Sequence, residues 1–301
     1  MEATIVCPPM TRKWIHRCQG LLPLLFGLLA AAVQAAPLIP ASARTSPLDL
    51  QVSGLLPGGR TNGFITRDQL MSLPLTTVTN AQDGALKRSA IYRGVPLTEL
   101  GSALAVDPKS DVIFMICADG YAAHVDASYL KQFSPLLILE IDGQGPEKWG
   151  RSLASGLAMA PFYVNSGSFQ ARLAEKLAGI DEGPIYPYAV ARLDFTTSFR
   201  ALGPLRLPGE PSASARLGER LAVRDCLSCH DHRGMGGVMS NRPWALLKTW
   251  SSNTNYFRRY VVKPKSVQPA SRMPGFTHYN EEALDALQAY FREWKDPGAA
   301  R

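Results

Sequence analysis

The sequence predicts an α+β chain of two domains, a β-rich mixed N-terminal domain followed by an all-α C-terminal domain. Residues 45–200 hold short apolar runs separated by turn signals, with only brief helical stretches between them. Residues 214–296 hold apolar residues at helical spacing near both ends. The charge balance changes between the two regions. Residues 36–210 carry 15 Lys+Arg against 16 Asp+Glu, a net of −1, whereas residues 211–301 carry 14 against 8, a net of +6. A length of 301 residues suits two domains of ~100–200 residues each. The expected divisions are a leader over 1–35, a β-rich domain over 47–198, a linker over 199–213 and a helical domain over 214–296.

The leader reads as an export signal. Arg12, Lys13 and Arg17 form its basic part, and Leu21 to Val33 is an apolar run of 13 residues. Val33-Gln34-Ala35 places small residues for cleavage after Ala35. The run is shorter than the ~20 apolar residues that span a bilayer comfortably. An uncleaved anchor is the alternative. Cleavage removes Cys7 and Cys18, so the exported chain keeps Cys117, Cys226 and Cys229. Three thiols in an oxidising compartment argue against a disulfide framework. The expected location is the periplasm, with no membrane span after cleavage.

In the N-terminal region, Thr66-Arg67-Asp68-Gln69 is a capping box that opens a short helix. Leu75 to Thr79 alternates as a strand, and Asp83-Gly84 marks a turn. Val95-Pro96-Leu97-Thr98-Glu99-Leu100 opens a helix with Pro early. Val112 to Cys117 is an apolar strand, followed by a turn at Asp119-Gly120 and a strand through Tyr121. Leu136 to Ile141 is a buried strand, and Met159 to Val164 is a further one. Cys117 ends an apolar run and reads as a core residue, against the alternatives of a metal or cofactor ligand and a reactive thiol. Asp119 reads as a turn residue, and His124 as a surface or half-buried residue.

Cys226-Leu227-Ser228-Cys229-His230 is the C-x-x-C-H haem-attachment motif. Two thiols add across the two haem vinyl groups and must meet the same edge of the ring. The His that follows is then placed beneath the iron. A zinc site would need two more ligands at suitable spacing. A thioredoxin-like dithiol would need a βαβ context, and none surrounds the motif. The stretch Arg216 to Val223, with Gly218, reads as a short helix before the motif. Arg242-Pro243-Trp244 follows a loop containing Gly234, Gly236 and Gly237. Met273 lies 43 residues beyond His230 in Arg272-Met273-Pro274-Gly275-Phe276. From Asn280 to Trp294 runs a helix with an N-cap candidate, acids in its first turn and apolar residues at 283, 284, 287, 290, 291 and 294.

In that order of parts, residues 214–296 resemble the class I, mitochondrial-type cytochrome c family. The resemblance implies one covalent haem c on Cys226 and Cys229, with His230 and Met273 as axial ligands of the iron. It also implies that the Pro243 region accepts a hydrogen bond from the His230 ring. Gly218 would let the first and last helices cross closely near Tyr290. Ala222 departs from the family, many of whose members carry an aromatic there, which bears on the tightness of that crossing. On the residues alone, Met235, Met239, His232 and His278 remain alternative iron ligands.

Residues 47–198 resemble the molybdopterin-binding domain of the sulfite oxidase family. The carrying residues are Gly94-Val95-Pro96-Leu97-Thr98-Glu99-Leu100, Ala118-Asp119-Gly120-Tyr121, and Leu136 to Ile141 ahead of Asp142-Gly143. That family binds molybdenum through a Cys upstream of the Gly-Val-Pro-Leu element. Here Thr76 to Asp83 holds no Cys. The segment looks like the truncated relatives of the family, so no molybdenum is expected.

Together these readings predict a periplasmic c-type cytochrome that transfers single electrons. Its partner would be an acidic redox protein, with no role for nucleic acid. Arg258, Arg259, Lys263, Lys265 and Arg272 lead up to Met273 and form the candidate docking face. The alternative is a two-domain molybdopterin-dependent oxidoreductase that passes substrate electrons to its own haem.

Overall fold

The computed structural model describes residues 37–167, 176–177, 180–181, 185–240 and 242–296. The expected leader lies outside them. Residues from Ala36 onward form one compact unit. It is mixed α/β, built on a large mixed sheet followed by a helical segment.

The first elements are strand β1 (Leu50–Gly54), strand β2 (Asn62–Ile65) and helix α1 (Arg67–Met71). The capping box forms as expected, with the Thr66 side chain accepting from the Gln69 N–H and the Gln69 side chain accepting from the Thr66 N–H. There follow β3 (Thr76–Asn80), β4 (Ala90–Pro96), α2 (Leu97–Ala103), β5 (Val112–Cys117), β6 (Ala122–Asp126), α3 (Ala127–Phe133) and β7 (Leu136–Ile141). Strand β8 covers Phe162–Asn165, a little later than expected, because Pro161 has no N–H to give a ladder. A short β9–β10 pair (Lys176–Leu177 and Ile180–Asp181) precedes β11 (Tyr188–Thr196).

The sheet runs β2-β1-β11-β8-β7-β4-β3 and branches at β11, which also pairs with β5, itself paired with β6. Only the β1–β11 pairing is parallel among these ladders. The turn at Asp83 is more than a turn. Its buried carboxylate accepts from the Tyr92 hydroxyl, from Tyr163 at 2.5 Å and from Asn165 at 2.7 Å, and it also holds the N–H groups of Ala85 and Leu86. A buried carboxylate is tolerated when its acceptor positions are filled in this way.

Strand β5 explains why its sequence is apolar throughout rather than alternating. Successive side chains of a strand point to opposite faces. Ile113, Met115 and Cys117 enter the core of the sheet, while Val112 and Phe114 enter the core shared with the helical segment. A strand covered on both faces needs apolar residues at every position.

The helical segment begins with α4 (Ser198–Leu202) and α5 (Ala213–Leu221), the latter capped by Ser212. Helix α5 continues through a wider, π-type turn over Ala222–Cys226. Next come α6 (Trp244–Ser251), α7 (Thr254–Val262), α8 (Pro264–Val267) and α9 (Glu281–Glu293). Asn280 caps α9 by accepting from the Ala283 N–H at 2.9 Å, and Glu281 and Glu282 occupy the first turn, where the helix dipole favours them. Ala283, Leu284, Leu287, Tyr290 and Phe291 are buried on one face of α9, as their spacing predicts. Trp294, expected within the helix, adopts extended backbone and ends it.

Helices α5 and α9 cross at Gly218. A Cβ there would lie 1.9 Å from the Ala286 carbonyl oxygen and 2.8 Å from the Tyr290 Cβ, so only glycine permits this approach. Ala222 is fully buried in the same core. The small residue accompanies a close crossing rather than a loose one.

The segment 199–213 is held down against the helices. The Tyr290 hydroxyl donates to the Leu205 carbonyl at 2.7 Å, the Trp294 indole donates to the Pro204 carbonyl at 3.0 Å, and the Glu219 carboxylate accepts from the Leu207 N–H at 2.8 Å. Among the described residues, no helix is long and apolar enough to cross a membrane.

Candidate functional site

The site grows out of the π-type turn that ends α5. That turn delivers Cys226, and the N–H groups of Cys229 and His230 both donate to the Cys226 carbonyl, at 3.1 and 2.9 Å. This tight winding brings both thiols and the imidazole to one cleft. The loop returns against the motif at Gly237, where a Cβ would lie 1.9 Å from the Ser228 carbonyl oxygen. That approach is open only to glycine.

The cleft encloses about 610 Å³ including its open mouth. This is within the range of cofactor and ligand sites. Cys226, Cys229, His230, Met273, Phe276 and Tyr121 face it. A second space of about 270 Å³, again counting its open mouth, is walled by Leu247, Trp250, Phe257 and Val261, and it too is lined by His230 and Met273. The two residues expected as axial ligands are therefore the two that these spaces share.

His230 is buried. Its Nδ1 lies 2.8 Å from the Arg242 carbonyl oxygen and 2.8 Å from the Ser240 hydroxyl. A carbonyl can only accept, so Nδ1 carries the proton and Nε2 keeps its lone pair. The carbonyl beside Pro243 accepts from this ring, as the cytochrome resemblance implies. Burial holds the His230 pKa below its ordinary value, which keeps the ring in its neutral, ligating form.

Cys226 and Cys229 are not joined in a disulfide. Burial pushes the pKa of each up. A redox dithiol needs the opposite shift, toward an accessible thiolate. The donor set fits covalent haem, with two thiols on one cleft, a neutral imidazole with a free Nε2, and a thioether facing the same space.

The alternative ligands are placed elsewhere. Met239 is exposed and its sulfur lies 3.8 Å from the Cys229 sulfur, on the loop rather than in the cleft. Met235 packs on the helical core and shares a β-bridge with His232. His232 is buried edge-on against the Trp294 ring at 5.5 Å. His278 is exposed beside Phe276 and Tyr279. None of these four lines either space.

At the rim, Arg224 pairs with Asp225 at 2.5 Å, and the Tyr279 hydroxyl also donates to Asp225. Arg258, expected on the docking face, instead forks between Glu281 and Asp285 of α9. Its charge is already matched inside the fold. Arg259, Lys263, Lys265 and Arg272 are exposed.

Tyr121, Arg224 and Asp225 line the cleft without being marked by the sequence as site residues. Tyr121 comes from the turn between β5 and β6, far from the motif in sequence, and no local pattern marks it. The apolar walls Leu247, Trp250, Phe257 and Val261 were likewise unmarked.

A molybdenum centre finds no comparable donor set. Cys117 is only 4 % exposed in the sheet core, where burial pushes its pKa up. Among the described residues, no group of three His, Cys, Asp or Glu could hold a metal ion. The ligand Cys that the sulfite oxidase resemblance would require upstream of Gly94 is absent from Thr76 to Asp83.

No family model matches the chain, and no curated protein matches it. Among solved structures, the sulfane dehydrogenase SoxCD from Paracoccus pantotrophus aligns with a TM-score of 0.33 and 16 % identity, over 51 % of this chain and 40 % of that one. The chain thus spans about two fifths of the length of that structure's chain. A likeness of this size fixes neither fold nor activity here.

Proposed function

We propose that the chain is an exported, periplasmic c-type cytochrome that binds one covalent haem and passes single electrons to and from an acidic protein partner. On this reading, residues 214–296 are a class I cytochrome c domain and residues 47–198 a scaffold of sulfite-oxidase-like ancestry. The observation that carries it is the convergence of Cys226, Cys229, His230 and Met273 on one cleft.

Cys226 and Cys229 would hold the haem by two thioether bonds, with His230 Nε2 and Met273 Sδ on the iron. When bound, the haem supplies a one-electron iron couple. The Arg242 carbonyl orients the His230 ring and raises its basicity through Nδ1–H. Leu247, Phe257 and Val261 give an apolar wall to the space that His230 and Met273 line. An iron held by both His230 and Met273 would suit electron transfer over ligand binding.

The test is the ferric spectrum of Met273→Ala. A thioether on ferric iron gives a weak band toward the red, which the variant should lose together with part of its potential. An unaltered band and potential would remove Met273 from the iron. Metal analysis covers the other domain. Stoichiometric molybdenum beside the iron would favour the two-domain oxidoreductase.

A further inference from the structure

The turn between β5 and β6 belongs to the sheet, yet it is bonded to the haem-attachment loop on both sides. The Ala122 N–H donates to the Ser228 carbonyl at 2.9 Å, and Ser228 lies between the two attachment cysteines. The Val238 N–H donates to the Gly120 carbonyl at 2.8 Å. Gly120 has a positive φ of +88°, and a Cβ there would press within 3.1 Å of the Val238 side chain. Phe114 and Ala122 anchor the same hairpin in the helical core. Two backbone hydrogen bonds and the burial of Phe114 and Ala122 therefore hold the hairpin against the loop.

Tyr121 sits at the centre of this clamp. Its ring packs on the sheet core on one side and faces the cleft beside Cys226 and Cys229 on the other. An amphipathic aromatic in this place offers an apolar face to a bound ring.

We propose that Tyr121 is a haem-contact residue supplied by the sheet, closing the thioether edge near Cys229 against water. The inference rests on the haem reading above. It gives residues 47–198 a defined task, which is to shield one haem edge from water. Water exclusion favours the less charged ferrous state, so the clamp raises the potential.

The experiment uses the full chain, matured with covalent haem, as wild type, Tyr121→Ala and Tyr121→Phe. Potential is measured by redox titration, and access by the rate of reduction with ascorbate. Tyr121→Ala should show a lowered potential and a several-fold faster reduction, while Tyr121→Phe, which keeps the ring, should stay near wild type. Tyr121→Ala that carries haem with unchanged potential and unchanged rate would overturn the proposal.

A second measurement covers a Tyr121→Ala chain that fails to mature. In ferrous wild type, nuclear Overhauser contacts should link the Tyr121 ring protons to the haem thioether substituents. Their absence overturns the proposal as well. Failure of the haem reading itself would look different, because the wild type would then carry no covalent haem at all.

Discussion

His230 Nδ1 lies 2.8 Å from the Arg242 carbonyl oxygen, in a bond that fixes both the tautomer and the plane of the ring. Ser240 lies at the same distance from Nδ1, and its hydroxyl also reaches the Arg242 carbonyl at 3.4 Å. Ser240 therefore shares the Nδ1 proton and adds to the electron density that Nε2 offers. Ser240→Ala should keep its covalent haem, because the carbonyl bond remains, but its potential should rise modestly as the imidazole becomes a weaker donor. Redox titration of the variant checks this, and a fall in potential would contradict it.

Gly218 should tolerate no side chain. Backbone atoms of Ala286 stand where a Cβ would go, and backbone cannot rotate away as a side-chain tip can. Gly218→Ala should cost at least about 1–3 kcal/mol through overpacking, and Gly218→Val should abolish accumulation of the folded protein. Denaturant unfolding of the haem-loaded variants measures the loss. Wild-type stability in Gly218→Ala would mean that the two helices do not cross at this point.

His124 makes stability depend on pH. Its ring stacks on Phe114 with centroids 5.2 Å apart, and burial pushes its pKa down to about 4 from an ordinary 6.5. Between those values the unfolded chain binds the proton that the folded one refuses, so stability falls as pH drops through that window. The contribution is fully present above pH 6.5 and lost as pH passes below 4. Unfolding measured across this range should show a flatter acid limb in His124→Leu than in the wild type. Parallel limbs would show that His124 does not carry this dependence.

The docking face should respond residue by residue. Arg258 is committed to Glu281 and Asp285 on α9, whereas Arg259, Lys263 and Lys265 are exposed. Replacing those three by Gln should slow electron transfer to a small acidic acceptor protein and flatten its dependence on ionic strength. Arg258→Gln should leave that dependence nearly intact and cost about 0–1 kcal/mol of stability, as exposed pairs do. Equal salt slopes for the triple variant and the wild type would remove this face from docking.

The parts of the molecule that were legible in the sequence are those whose determinants are local. The capping box at Thr66 and Gln69, the apolar strands Val112–Cys117 and Leu136–Ile141, and helix α9 behind Asn280 all appear where their patterns place them. Strand β11 escaped because Arg192 and Asp194 break its apolar run, although it is the strand at which the sheet branches. Asp83 read as a turn because Tyr92, Tyr163 and Asn165 reach it only through the fold. The pairing of Arg258 was hidden for the same reason, since its partners stand on another helix. In the cleft, the contiguous motif points to Cys226, Cys229 and His230, and the cytochrome resemblance points to Met273. Tyr121 needed the tertiary contact between the β5–β6 turn and Ser228.

The central claim is that Cys226 and Cys229 hold a haem covalently, and acid–organic extraction of the denatured protein tests it most directly. Protein matured in a periplasm competent for c-type haem should keep its colour in the pellet, with one haem per chain from the single motif at Cys226–His230. The double variant Cys226→Ala/Cys229→Ala should release its colour or never acquire it. Haem that extracts freely from the wild type, or stays fully bound in the double variant, would contradict the account.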